Sequence, residues 1–103
     1  MGDFEELEKK VIAWANSRGL LHPNGANAQK QLLKSLSELG ELADALLKNN
    51  RGGIIDGIGD VLVTLIIFAE LVGGYDLTLC LECAYQEIKN RKGQTVDGVF
   101  IKE

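Results

Sequence analysis

Two pairs of acidic residues are set apart by their spacing. Glu38 and Glu41 in "SELGELAD" lie three residues apart, and Asp56 and Asp60 in "IIDGIGDVLVTLIIF" lie four apart. Both intervals put the members of a pair on one face of a helix. The aspartates are the less expected pair, because no charge follows Asp60 until Glu70. A carboxylate among apolar neighbours is costly unless something positive meets it. If the two helices lie antiparallel across the short "NNRGG" turn, all four acids gather at one end. A cation is then needed to hold them together. Every donor is oxygen, with no imidazole or thiolate close by in the sequence, so the expected ion is hard: Mg²⁺, with Mn²⁺ tolerated and Zn²⁺ disfavoured. Mg²⁺ sites of this kind leave positions to water and to substrate phosphate, which points to phosphate chemistry.

Two plainer readings stand beside this one. Glu-x-x-Glu on a helix is commonly a solvated face. Asp60 is also placed to be the N-cap of a helix beginning at Val61, which leaves Asp56 in a loop. Gly57 and Gly59 suit that alternative, since each costs roughly 1 kcal/mol inside a helix relative to Ala. In the metal-site reading the same glycines allow close helix approach or make room for a ligand.

Four helical segments are predicted to position these residues. The first covers residues 3–17, with Phe4, Leu7, Val11 and Trp14 at helical spacing, and ends in "SRGLLHPNGAN", which holds the only Pro and the only His. The second opens on Asn27 as N-cap and continues to Lys48, with Leu32, Leu36, Leu39, Ala43 and Leu46 on one face. Glu41, Glu38, Lys34, Gln31 and Asn27 form a polar track that faces away from those leucines. The third contains both aspartates and runs to the double glycine of "VGG". Its β-branched "VLVTLII" also suits a buried strand, but the apolar pattern is longer than most strands. The fourth covers residues 76–92, and Asp-Gly in the tail "QTVDGVFIKE" signals a hairpin or turn. The expected architecture is a single all-α domain over residues 1–103, a four-helix bundle with a short extended tail. After Asp60 the third helix is apolar almost all round and must be covered on every side. Three short helices are hard pressed to do that, so a homo-oligomer, dimer or tetramer, is expected to cover it.

The 103 residues are 46% apolar and 25% charged, as in soluble globular domains. A net charge of −4 gives no support for stable nucleic-acid or membrane-surface binding. The polar, acidic start "MGDFEELEKK" is not a secretory signal, and the uncharged run 61–69 is too short to span a bilayer, so a cytoplasmic protein is expected. Cys80 and Cys83 in "CLEC" lack the second pair a zinc site needs and are expected to be reduced helical cysteines. His22 is expected to be solvated and Trp14 to be core. The glycines of "GGIIDGIG" lack the strand and the Gly-Lys-Ser/Thr ending of a phosphate loop.

"QLLKSLSELGELADAL" followed by "IIDGIGDVLVTLIIFAELVG" resembles the MazG-like, all-α nucleoside triphosphate pyrophosphohydrolases, particularly the short single-domain phage members. The family motif is Glu-x-x-Glu, a spacer, then Glu-x-x-Asp. Glu38 and Glu41 match its first half and Asp60 its last position. "EIKNRKG" resembles the segment that reaches the phosphates, and "VDGVFIKE" the tail of phage-type members. The likeness covers residues 31–92. It implies Mg²⁺-dependent hydrolysis of a nucleoside triphosphate to monophosphate and pyrophosphate. Glu38, Glu41, Asp56 and Asp60 would be metal ligands, and Lys34, Gln31, Lys89, Asn90 and Arg91 would contact substrate. Two positions depart from the pattern. Gly57 stands where the motif has Glu, with the acid one place earlier at Asp56. Ser37 stands where many members carry an acid proposed as the base, leaving that work to Glu38, Glu41 or metal-activated water. The alternative is a non-catalytic, oligomeric helical member of the same fold that binds nucleotide or protein without turnover.

Overall fold

The computed structural model describes residues 2–22 and 27–103. Its elements are α1 (Asp3–Ser17), α2 (Ala28–Leu47), α3 (Arg51–Gly73), α4 (Leu77–Ile88), β1 (Gly93–Val96) and β2 (Val99–Lys102). The fold is all-α with a short two-stranded tail. Residues 23–26 of the predicted loop after α1 lie outside the described residues.

Side-chain caps set where three of the helices begin. Asn27, Asn50 and Asp76 accept hydrogen bonds from the backbone N–H of Lys30, Gly53 and Leu79 respectively. Each removes one unpaired donor from a first turn. Because Asn50 caps α3, the helix is continuous through Gly57 and Gly59, and Asp60 is an interior residue rather than a cap. Gly74, in the left-handed region at φ 67°, ends α3.

α2 and α3 form an antiparallel helical hairpin. Gln31 and Ser35 meet Thr64 near one end, and Ala45 approaches Gly53 at the other. The buried polar chemistry is concentrated here. Ser35 donates to Thr64 Oγ1 at 2.8 Å, Thr64 donates to the Val61 carbonyl at 2.7 Å, and the Gln31 amide donates to the Thr64 carbonyl at 3.3 Å. This reverses the expected orientation of α2. The stripe against α3 is Gln31, Ser35, Glu38, Leu42 and Ala45, whereas Leu32, Leu36, Leu39 and Leu46 stay exposed. Small and polar residues let the two helices approach, which a row of leucines would prevent.

α1 packs on α3, where Ala15, Ile66, Ile67 and Ala69 are the buried apolar residues. Within this chain α3 is largely covered beyond Asp60, so the uncovered apolar surface lies chiefly on α2 and α4 rather than on α3. Trp14 is half-exposed rather than core, with the Arg18 guanidinium 5.5 Å from its ring centroid. Glu8 is buried in α1 and accepts the Leu77 N–H at 2.7 Å, tying α1 to the start of α4.

α4 ends at Ile88, four residues before the expected Lys92. Arg91 N–H closes a turn onto the Ile88 carbonyl, and the chain leaves directly into β1 at Gly93. The tail is an antiparallel hairpin in which Val96 pairs with Val99. Asp97 and Gly98 have φ of 51° and 79°, the two positive values that a tight two-residue turn requires. Cys80 and Cys83 are free and exposed. No helix among the described residues is long and apolar enough to cross a membrane.

Candidate active site

The α2–α3 hairpin brings both acidic pairs to one place. Glu38, Glu41, Asp56 and Asp60 line a single cleft of about 320 Å³, closed at one end by the turn into α3. Their positions follow from the helix register. Thr64 sits against Gln31 and Ser35, and Gly57 against Leu42, which sets the Asp56–Asp60 turn opposite the Glu38–Glu41 turn. Asp44, Lys48 and Asn50 line the same cleft. Asp44 was not singled out in the sequence, although it lies three residues beyond Glu41 and so continues the same stripe.

Charge in the cleft is strongly one-sided, with five carboxylates against Lys48 among its lining residues. Lys48 bonds Asp44 at 2.8 Å. That hydrogen bond, reinforced by the charge of Asp44, holds the ammonium pKa above its usual 10.5, so Lys48 stays cationic at neutral pH. Glu38 is the most enclosed acid, its side chain 13% exposed and paired with Lys34 at 3.1 Å. Glu41, Asp56 and Asp60 face solvent. Among the described residues, no three His, Cys, Asp or Glu side chains are grouped closely enough to hold a metal ion. The donors fit a hard dication by chemistry, all oxygen and all anionic. Mutual repulsion favours separation of these solvent-facing acids.

Gly57 explains the departure from the family motif in steric terms. A β-carbon there would stand 3.0 Å from Leu42 Cδ1 and 3.3 Å from Leu42 Cα. The helices pack closely at this point, and a β-carbon would require Leu42 to give by a few tenths of an ångström. Gly59 is different, because a β-carbon there would meet nothing within 4 Å.

The predicted substrate contacts divide. Lys34 stands beside the cleft through its pair with Glu38. Gln31 is buried, its amide spent on the Thr64 carbonyl, so it serves the helix interface rather than a ligand. Lys89, Asn90 and Arg91 lie in the turn after α4 and do not line the acidic cleft. They follow the helix instead of extending it, because the chain has already turned toward β1.

Residues 27–96 match the MazG nucleotide pyrophosphohydrolase domain. The chain belongs to the MazG family. The match takes in the α2–α3 hairpin, α4 and the first strand, and so includes every residue of the acidic cleft. A relative in Haemophilus phage HP1 (strain HP1c1), an uncharacterized 18.2 kDa protein in the rep-hol intergenic region, is 37% identical over 70 residues. That stretch is 68% of the MazG-family chain and 42% of the phage protein, so the chain spans less than half the length of that relative. No solved structure matches.

Proposed function

We propose that this MazG-family chain is a Mg²⁺-dependent pyrophosphohydrolase that cleaves nucleoside triphosphates between the α and β phosphates, releasing monophosphate and pyrophosphate. The observation that supports this reading is that Glu38, Glu41, Asp56 and Asp60 line one cleft. These four residues would hold the ion, with Mn²⁺ an acceptable substitute. When bound, the ion supplies compensation for charge on the phosphate oxygens and makes water a better nucleophile.

The chain's own residues supply the rest. Glu41 faces solvent in the cleft, whereas Glu38 is tied to Lys34, so Glu41 is the better placed proton acceptor for an attacking water. Lys34 and Lys48 stand at the cleft as cations for phosphate oxygens. The first turn of α3, which opens on the cleft at Asn50 and Gly53, adds the positive end of a helix dipole. Phosphoryl-type transfers depend chiefly on positioning and charge compensation, and these elements address both. We further propose that the protein acts in the cytoplasm as a homo-oligomer and binds neither membrane nor nucleic acid stably.

One observation favours a second reading, a non-catalytic member that holds nucleotide or a partner protein. At Gly57 any side chain would crowd Leu42, which tells against the motif glutamate at this position. Pyrophosphate release from a panel of nucleoside triphosphates, with Mg²⁺ and with EDTA, separates the two. Turnover that requires Mg²⁺ is expected. Binding of a triphosphate with no release of pyrophosphate rejects the enzyme and leaves the binding protein.

A further inference from the structure

Lys34 and Lys48 hold acids of α2 in different ways. Lys34 Nζ stands 3.1 Å from Glu38 Oε1, and Lys48 Nζ stands 2.8 Å from Asp44 Oδ2. Both pairs span one turn of the helix, but in opposite order. On a helix an acid four residues before a lysine makes the stronger pair, and the reverse order makes the weaker one. Asp44–Lys48 has the stronger order and the shorter contact, whereas Lys34–Glu38 has the weaker order and the longer contact.

The two acids differ in the opposite sense. The Glu38 side chain is 13% exposed and that of Asp44 60%. Helix register accounts for the difference. Ser35 meets Thr64 and Leu42 meets Gly57, so Glu38 stands between those contacts, across from the Asp60–Val61 step of α3. An enclosed carboxylate needs a cation more than an exposed one does. Asp60, which lines the same cleft, adds a like charge. Among the described residues, Lys34 is the one cation within ion-pair distance of Glu38. The acid most in need of positive charge is therefore served by the weaker pair, from a lysine side chain that is itself 57% exposed.

We infer that Lys34 is an exchangeable counter-ion: it neutralises Glu38 in the ion-free protein, gives up that carboxylate when a divalent ion is held, and then serves the phosphates of the triphosphate. This exchange rests on the proposed pyrophosphohydrolase reading and links its two ligands. A partly exposed pair is worth little, so Lys34 is displaced from Glu38 at small cost. Its flexible four-carbon stem lets the ammonium reach a new partner without any movement of α2. Lys34 and a divalent ion exclude each other at Glu38, so Lys34 weakens ion binding when nucleotide is absent. Once released, it strengthens triphosphate binding, and by linkage the triphosphate strengthens ion binding in return. Lys48 stays on Asp44 and does not compete for Glu38.

Mn²⁺ titration of the full chain, with free ion read by electron paramagnetic resonance, tests the exchange. In about 0.5 M KCl the Debye length falls to about 4 Å, so only charges in contact act strongly on one another. Without nucleotide, Lys34→Met is expected to tighten Mn²⁺ binding about threefold, the worth of a partly exposed pair. At saturating Mn²⁺ the same variant is expected to weaken binding of α,β-methylene nucleoside triphosphates about tenfold, through loss of one charge-assisted contact. Lys48→Met is expected to change Mn²⁺ affinity by less than about 1.5-fold, because its charge is screened from Glu38. Unchanged or weaker Mn²⁺ binding by Lys34→Met overturns the exchange, as does an equal gain from Lys48→Met. Tighter Mn²⁺ binding with unaltered triphosphate binding also overturns it, since Lys34 is then a competitor that hands nothing on. A wild type that binds no Mn²⁺ overturns the exchange and the metal site together. If both Lys34→Met shifts are seen but the wild type releases no pyrophosphate, the exchange stands and the enzyme is rejected.

Discussion

At the level of single residues, Asp60 is the sharpest test of the cleft. It lies inside α3, away from any helix end it could cap, so no backbone hydrogen bond accounts for its charge. Asp60→Asn is expected to keep the fold by circular dichroism and to lower Mg²⁺ affinity and pyrophosphate release by about 100-fold or more, since even partners outside the ligand shell are worth roughly 10–100-fold. If Asp60→Asn changes neither quantity, the metal assignment fails. Gly57 gives the complementary test. Gly57→Glu restores the motif acid but forces the new side chain against Leu42. It is expected to destabilise the chain by about 1–3 kcal/mol in urea unfolding, the usual penalty for overpacking. Adding Leu42→Ala should recover part of that loss by opening the contact. Equal stability of Gly57→Glu and wild type would show that the helices part freely here. That the four acids line one cleft was legible in the sequence, because spacing alone puts each pair on one helical face. Gln31 was misplaced, since its polarity suggested solvent when the helix interface itself is polar. Asp44 lies outside the Glu-x-x-Glu pattern while sharing its stripe, so the motif spacing does not mark it.

For the helices, the caps explain why sequence and structure agree at the starts and disagree at one end. Asn27 and Asp76 carry side chains that pair with first-turn N–H groups, and such signals are local. The end of α4 is set by the tail, because the chain must reach β1 at Gly93, a constraint that periodicity does not show. The orientation of α2 was missed for another reason. Leucines at helical spacing mark an apolar face, but they do not say whether the chain itself covers it. Here the intramolecular contact is made by the Gln31, Ser35 and Thr64 network, and a double-mutant cycle measures its worth. Thr64→Val removes the acceptor of the Ser35 hydroxyl and is expected to cost about 1–2 kcal/mol. Ser35→Ala/Thr64→Val removes both partners, and its loss should fall short of the sum of the single variants, because neither hydroxyl is left unpaired. Strict additivity would mean that the two hydroxyls are not coupled.

For the whole molecule, size and core point the same way. The radius of gyration is 16.0 Å, against about 13 Å for a compact chain of this length. Among the described residues no large side chain is fully buried, and apolar residues remain exposed on α2, α4 and the hairpin. The sequence suggested a second copy through α3; the structure moves the uncovered surface to α2 and α4, because α1 and α2 already cover much of α3. In the proposed homo-oligomer a chain built this way would gain much of its stability from association, and mass action would then make its melting temperature depend on concentration. For a dimer, each tenfold increase adds about 1.4 kcal/mol per mole of dimer. Spread over the unfolding entropy of two 103-residue chains, this raises Tm by about 3 °C. Differential scanning calorimetry from about 1 μM to about 100 μM should therefore show a rise of about 6 °C. A wild-type Tm constant across that range means that each chain folds to full stability alone, with its leucines in water.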